Sequence, residues 1–111
     1  MADLTLYGLK NCDTCKKALK ALEATGRSVT FVDIRAEADL AAKVPVWLEV
    51  AGADLLVNRR STTWRGLDDT ARAGDPKELL IANATLIKRP VIEAGSTIHV
   101  GWSKDVQAAL S

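Results

Sequence analysis

Soft metal ligands are scarce in this chain, which holds two cysteines, Cys12 and Cys15, and one histidine, His99. A zinc site needs three or four Cys, His or carboxylate ligands, so no resident metal is expected. The cysteine pair is also badly placed to staple a fold. Closing a loop of about four residues stabilises by only about 2 kcal/mol, against about 4.7 for a long one. An excess of charge of one sign is missing as well. Fifteen Lys and Arg stand against 14 Asp and Glu, a net charge of +1, and the basic residues are scattered. That leaves no electrostatic footprint for direct nucleic-acid binding. No run approaches the roughly 20 apolar residues that span a bilayer. The opening Met1-Ala2-Asp3-Leu4-Thr5 lacks the basic region and apolar stretch of a secretory leader. A cytoplasmic protein with no membrane partner is expected.

What is present suits one small globular domain over residues 1–111: 48% of residues are hydrophobic and 26% charged, in the ordinary range for such a domain. Leu, Val and Ile suffice for one modest core without crosslinks, and with no obvious apolar patch the chain is expected to be a monomer. Collagen, coiled coil and wholesale disorder are excluded.

Leu4, Leu6 and Tyr7 read as a strand ending at Gly8, and Lys10 to Thr14 as a loop. From about Thr14 the positions Cys15, Ala18, Leu19 and Leu22 recur at helical spacing until Gly26, a natural helix stop. Val29 to Ile34 reads as a second strand, so the chain opens β, α, β with a crossover long enough for parallel pairing. Asp39 to Ala51 is Ala-rich and helical in period, with Pro45 expected either to start its main turn or to kink it. Leu55 and Leu56 lead into Asn58 to Arg65, which shows no period and is expected to be an ordered loop. Asp75-Pro76-Lys77-Glu78 has the form of a helix start, that helix ending near Asn83. Pro90 to Glu93 and Thr97 to Gly101 read as a hairpin joined by Ala94-Gly95-Ser96. Ser103 caps a closing helix through Ala109. The order is that of an α/β, thioredoxin-like fold, βαβ then ββα, with an inserted all-helical subdomain at about 37–84.

Cys12 falls where a strand has ended and a helix begins, so its sulfur faces the unpaired N–H groups of a first turn. A thiol with a pKa of about 8.5 is a few per cent ionised at neutral pH, and one lowered to about 7 is half ionised. Such a shift makes Cys12 a nucleophile. Cys15 and Lys16 follow at helical spacing and share its face, whereas Asp13 opposes a thiolate unless its side chain turns to cap the helix. The plainer alternative is two small apolar residues filling a helix start beside solvated Lys16 and Lys17. A second basic group, Asn58-Arg59-Arg60-Ser61-Thr62-Thr63-Trp64-Arg65, mixes guanidinium forks with hydroxyls and an indole. These are parts of an oxyanion or carboxylate clamp, or simply of a solvated loop. Pro90 stands just before a strand, and residue statistics alone predict a trans Arg89-Pro90 bond. His99 is expected on the sheet surface, and Trp102 at a core edge.

Three stretches carry a recognisable pattern: Tyr7-Gly8-Leu9-Lys10-Asn11-Cys12-Asp13-Thr14-Cys15-Lys16-Lys17-Ala18, Asn58-Arg59-Arg60-Ser61-Thr62-Thr63-Trp64, and Leu86-Ile87-Lys88-Arg89-Pro90-Val91. The chain resembles the arsenate reductase-like (ArsC/Spx) family, most closely its small YffB branch. The resemblance implies a thioredoxin fold with a helical insertion, Cys12 as the reactive cysteine, and a cis Pro90 after Arg89. It also implies a thiol-dependent oxidoreductase using glutathione as co-substrate, with no bound cofactor. Arg59 or Arg60, with Arg60 favoured, joins Arg89 in holding an anionic group near the sulfur, and Lys16 adds positive charge.

Three departures qualify that picture. True arsenate reductases carry a third arginine near the end of the last strand, where this chain reads Val100-Gly101-Trp102. Many YffB-like proteins have an apolar residue at the position of Cys15, so a resolving Cys12-Cys15 disulfide, and a thioredoxin-like reductant for it, is an added possibility here. The Spx branch uses such a pair as a redox switch while binding RNA polymerase. The expected function is therefore a glutathione-dependent thiol-disulfide reductase acting on a small thiol or disulfide. Its alternatives are a redox-responsive regulator that binds RNA polymerase and arsenate reduction proper.

Overall fold

A computed structural model describes residues 3–95 and 97–110. The chain divides into two compact units, one made of residues 1–38 and 89–111 and the other of 39–88.

In the first unit, β1 (Leu4–Gly8) is followed by helix α1 (Asp13–Ala24) and by β2 (Val29–Asp33), which pairs parallel to β1. Helix α1 ends because Thr25 and Gly26 turn their amides back to the carbonyls of Leu22 and Glu23. Gly26 does so at φ +84°, a conformation that is nearly free of cost only for glycine. Strands β3 (Val91–Ala94) and β4 (Thr97–Val100) form an antiparallel hairpin, and β3 also pairs antiparallel with β1. The sheet order is β2-β1-β3-β4, so the arrangement is a thioredoxin-like α/β fold. Ala94 belongs to β3 rather than to the turn. Gly95 turns at φ +62°, and Ser96, the last residue of the expected turn, lies outside the described residues.

Alternation along β1 and β3 sends Leu4, Leu6 and Ile92 to one face. There Cys15, Ala18 and Leu22 of α1, together with Leu110, complete a buried cluster. Each fully buried Leu or Ile contributes roughly 1.5–3 kcal/mol, which ties the first turn of α1 firmly to the sheet. Trp102 packs at the edge of this cluster, and His99 is half-buried on β4. The closing helix runs Lys104–Leu110, with the Ser103 hydroxyl accepting from the Val106 amide at 3.3 Å.

The second unit holds α2 (Leu40–Ala51), α3 (Ala53–Leu56), α4 (Thr62–Arg65), α5 (Asp69–Arg72), α6 (Pro76–Ala82) and a 3-10 turn at Ala84–Leu86. An isolated bridge between Val57 and Ile87 closes it. Helix α2 runs through Pro45, so Pro45 neither starts it nor ends it. Asp75 caps α6 by accepting from the Lys77 amide at 3.1 Å, with Pro76 at the first position, and α6 stops at Asn83.

The expected loop from Asn58 to Arg65 is only partly a loop. The Ser61 hydroxyl accepts from the Trp64 amide at 3.1 Å and caps the single turn of α4, which is too short to show a period. Among the described residues, no helix is long and apolar enough to cross a membrane.

Candidate active site

Cys12 is the N-cap of α1, at φ −94° and ψ 117°, and is held there on both sides. Its amide donates to the Leu9 carbonyl at 3.1 Å, and its carbonyl accepts from Lys16 at 3.0 Å. The thiol is half-buried and makes no regular cap hydrogen bond, since neutral sulfur is a weak acceptor. A thiolate there is different, because it is aimed at the open end of the helix. Burial alone pushes the Cys12 pKa up, but the Cys15 amide, the Cys15 thiol and the Arg89 side chain all hydrogen-bond to its sulfur, and Arg89 adds its charge. Together these hold Cys12 below its ordinary value. The sulfur is thus both reachable from solvent and biased toward the anion.

Cys15 is its opposite. It is fully buried, and burial foremost, then its contact with Cys12, pushes its thiol up to about 12. Gly8 makes room for it. A Cβ at Gly8 would stand 2.5 Å from the Cys15 sulfur and 3.1 Å from its Cβ, so only glycine lets the first turn of α1 come this close to the end of β1. Both cysteines are free thiols.

The Arg89-Pro90 bond is cis, as the family resemblance implies and against the trans geometry that residue statistics alone predict. The Pro90 carbonyl accepts from the Gly101 amide at 2.8 Å, so the chain leaving β4 is bonded to the segment that carries Arg89. Gly101, at φ +83°, offers no side chain in the region where a third arginine is expected in true arsenate reductases.

The remaining candidates are placed as follows. Lys16 is exposed, one turn into α1. Arg59 and Arg60 belong to the second unit. Arg59 is engaged with Asp54 at 3.2 Å and lies 5.6 Å from the centre of the Trp64 ring, where Arg72 also stacks at 5.6 Å. Arg60 is exposed, and among the described residues no carboxylate is recorded in an ion pair with its guanidinium. Arg59, Arg60 and Lys88 line a cavity of about 290 Å³ in that unit. The first unit thus brings Cys12, Cys15, Arg89 and Pro90 together. The inserted unit carries the cationic residues Arg59, Arg60 and Lys88. Sequence reasoning missed the spacing role of Gly8, although Gly8 at the end of a strand before the Cys pair was a visible signal.

A thioredoxin-like fold with a thiol pair at the first helix N-terminus defines the class. Residues 7–110 match the family model of the ArsC family, and the chain belongs to that family. It is 40% identical over 114 residues to an uncharacterised protein of Haemophilus influenzae, covering 97% of this chain and 99% of the relative. Among solved structures it is similar to a protein called YffB, with a TM-score of 0.87 and 35% identity over 96% of this chain and 97% of that one. It is also similar to an arsenate reductase-related protein from Brucella melitensis, with a TM-score of 0.76 and 36% identity over 96% and 92% of the two chains. These relatives support the YffB branch.

Proposed function

We propose that the chain is a glutathione-dependent thiol-disulfide reductase, with Cys12 as its nucleophile. One observation carries this reading: a solvent-reachable sulfur at the start of α1 with Arg89 and the Cys15 amide and thiol all favouring its anion. The Cys12 thiolate attacks the glutathione sulfur of a mixed disulfide. The new S–S bond forms as the old one breaks, and the substrate sulfur leaves as a thiolate. A second glutathione thiolate then attacks the glutathione sulfur held on Cys12. Glutathione disulfide departs and the Cys12 thiolate is restored. One substrate sulfur is reduced and one glutathione thiol is consumed, leaving with the glutathione of the mixed disulfide as glutathione disulfide.

Arg89 receives one glutathione carboxylate, with Lys16 adding positive charge; of the inserted unit's two adjacent arginines, Arg60 is the anion-binding candidate. Arg60 is preferred to Arg59 because Arg59 is already engaged with Asp54 and Trp64. Cys15 offers an internal route of release, forming a Cys12-Cys15 disulfide that a thioredoxin-like donor would reduce. Its raised pKa makes that route the slower one while external glutathione is plentiful. Resistance to chemistry on a free oxyanion follows from the glycine at 101, where arsenate loses a counter-charge. We place the protein in the cytoplasm as a monomer.

NMR titration with glutathione tests the reading. Shifts are expected to cluster at Cys12, Arg60 and Arg89, and turnover of a glutathione mixed disulfide is expected to vanish in Cys12→Ser. Turnover that survives Cys12→Ser, or glutathione shifts confined to other surfaces, would overturn it.

A further inference from the structure

Two cavities in the first unit share Leu9 and Lys10, residues of the loop that leads to Cys12. One, about 270 Å³, is lined by Leu9, Leu19 and Phe31 with Lys10 and Lys16 at its rim. The other, about 400 Å³, shares Leu9 and Lys10 and extends past Asn11 to Arg35. Asn11, which lines the second cavity, immediately precedes Cys12 in the chain, and Asp33 places that cavity at the C-terminal ends of the parallel strands β1 and β2. In open α/β sheets that edge is where ligands gather.

Cations outnumber carboxylates along the trough of these two cavities, with Lys10, Lys16 and Arg35 against Asp33. Asp33 also lines it, but one carboxylate oxygen of Asp33 accepts from the Arg35 and Ala36 amides at 2.8 and 3.1 Å. Lys10, Lys16 and Arg35 are all exposed. Lys16 stands in the first turn of α1, where a cation opposes the helix dipole at some cost in stability. In a chain of net charge +1, this is a local excess of cations around an apolar floor.

We propose that this trough is a docking groove for an extended, acidic segment of a protein substrate, anchored by an apolar side chain on Leu9, Leu19 and Phe31. The proposal rests on the reductase reading and names its substrate class: a protein cysteine in mixed disulfide with glutathione, not a small disulfide alone. Glutathione has no apolar side chain, so it leaves the apolar floor unused. A protein segment with acidic residues around an apolar one satisfies floor and rim together, and the cations steer its approach. An apolar floor and a near-neutral chain favour such a peptide over a nucleic acid.

The test uses a fluorescein-labelled decapeptide of alternating Leu and Glu without cysteine, titrated into the protein and followed by anisotropy. Saturable binding is expected. It should weaken about tenfold in Lys10→Glu/Arg35→Glu, with a peptide in which Gln replaces Glu, and at high salt. Both substituted side chains are exposed, and circular dichroism checks that the variant is folded. Equal binding of the Gln peptide, unchanged binding by the variant, or tighter binding of single-stranded oligouridylate would each overturn the groove.

A second measurement compares turnover of a Leu/Glu peptide joined by disulfide to glutathione with turnover of hydroxyethyl disulfide. The variant is expected to lose efficiency with the peptide alone. A variant that loses both equally would also sink the groove. Peptide binding without turnover of either substrate would sink the reductase reading and leave the groove standing.

Discussion

At the scale of single residues, the two sulfurs are chemically the same group in opposite settings. Cys12 is reachable and surrounded by donors; Cys15 is sealed in the core, and its pKa is raised to about 12. The rate of Cys12 alkylation against pH is therefore expected to show a midpoint below that of an ordinary thiol, with Cys15 unlabelled in the native protein. Replacing Arg89→Gln or Cys15→Ala should each move that midpoint upward, because each removes a donor to the anion. No movement in either variant would show that the helix start alone sets the pKa. Gly8 belongs to the same argument. Gly8→Ala forces a methyl against the Cys15 sulfur and is expected to cost about 1–3 kcal/mol in denaturant unfolding. Cys15→Ala should recover part of that loss, because it removes the atom standing nearest.

Secondary-structure elements follow local chemistry where they are long and become hard to read where they are short. The α6 start is legible because Asp75, Pro76 and Glu78 each suit their positions. Asp75→Ala is expected to cost about 1 kcal/mol through the lost cap, measured by thermal unfolding. Helices α3, α4 and α5 have four residues each, about one turn, so no apolar period can appear in them. Their signals are instead Ser61 and Asp68, whose side chains accept from Trp64 and Ala71. Helix α2 runs against its own sequence at Pro45, which has no amide to give to the carbonyl four residues back. Pro45→Ala restores that bond and should stabilise by about 2 kcal/mol, after allowing for the freedom an unfolded chain gains without proline. A fall in melting temperature would contradict this.

For the whole molecule, the pH dependence of stability carries the mark of the buried thiol. In the unfolded chain Cys15 ionises at about 8.5, and in the folded one it stays protonated to about 12. Above pH 8.5 the unfolded state therefore binds fewer protons than the native state, and stability falls as pH rises toward 12, by about 1.4 kcal/mol per pH unit. Below 8.5 this contribution is fully present. Chemical unfolding between pH 8.5 and 10 in Cys12→Ser and Cys12→Ser/Cys15→Ala measures it by difference, since neither protein carries the Cys12 thiol that Cys15 perturbs. Parallel curves would mean that the buried sulfur ionises without penalty. Also at this scale, Cys12, Cys15, Arg89 and Pro90 lie in one compact unit, and Arg59 and Arg60 lie in the other.

Residue order alone was enough for the βαβ opening, the hairpin, the closing helix and the position of Cys12 at a helix start. Each of these rests on periodicity or capping within a few consecutive residues. Arg89 as neighbour of Cys12 came from family resemblance, because 77 positions separate the two and no local rule links them. The unequal fates of the two thiols, the room left by Gly8, the engagement of Arg59 with Asp54 and Trp64, and the cationic trough beside Asn11 needed the folded chain. The thiols, Gly8 and the trough depend on burial and on segments that the sheet brings together, whereas Arg59 lies only five residues from Asp54 and from Trp64 and its contacts depend on how the short turns of the inserted unit fold.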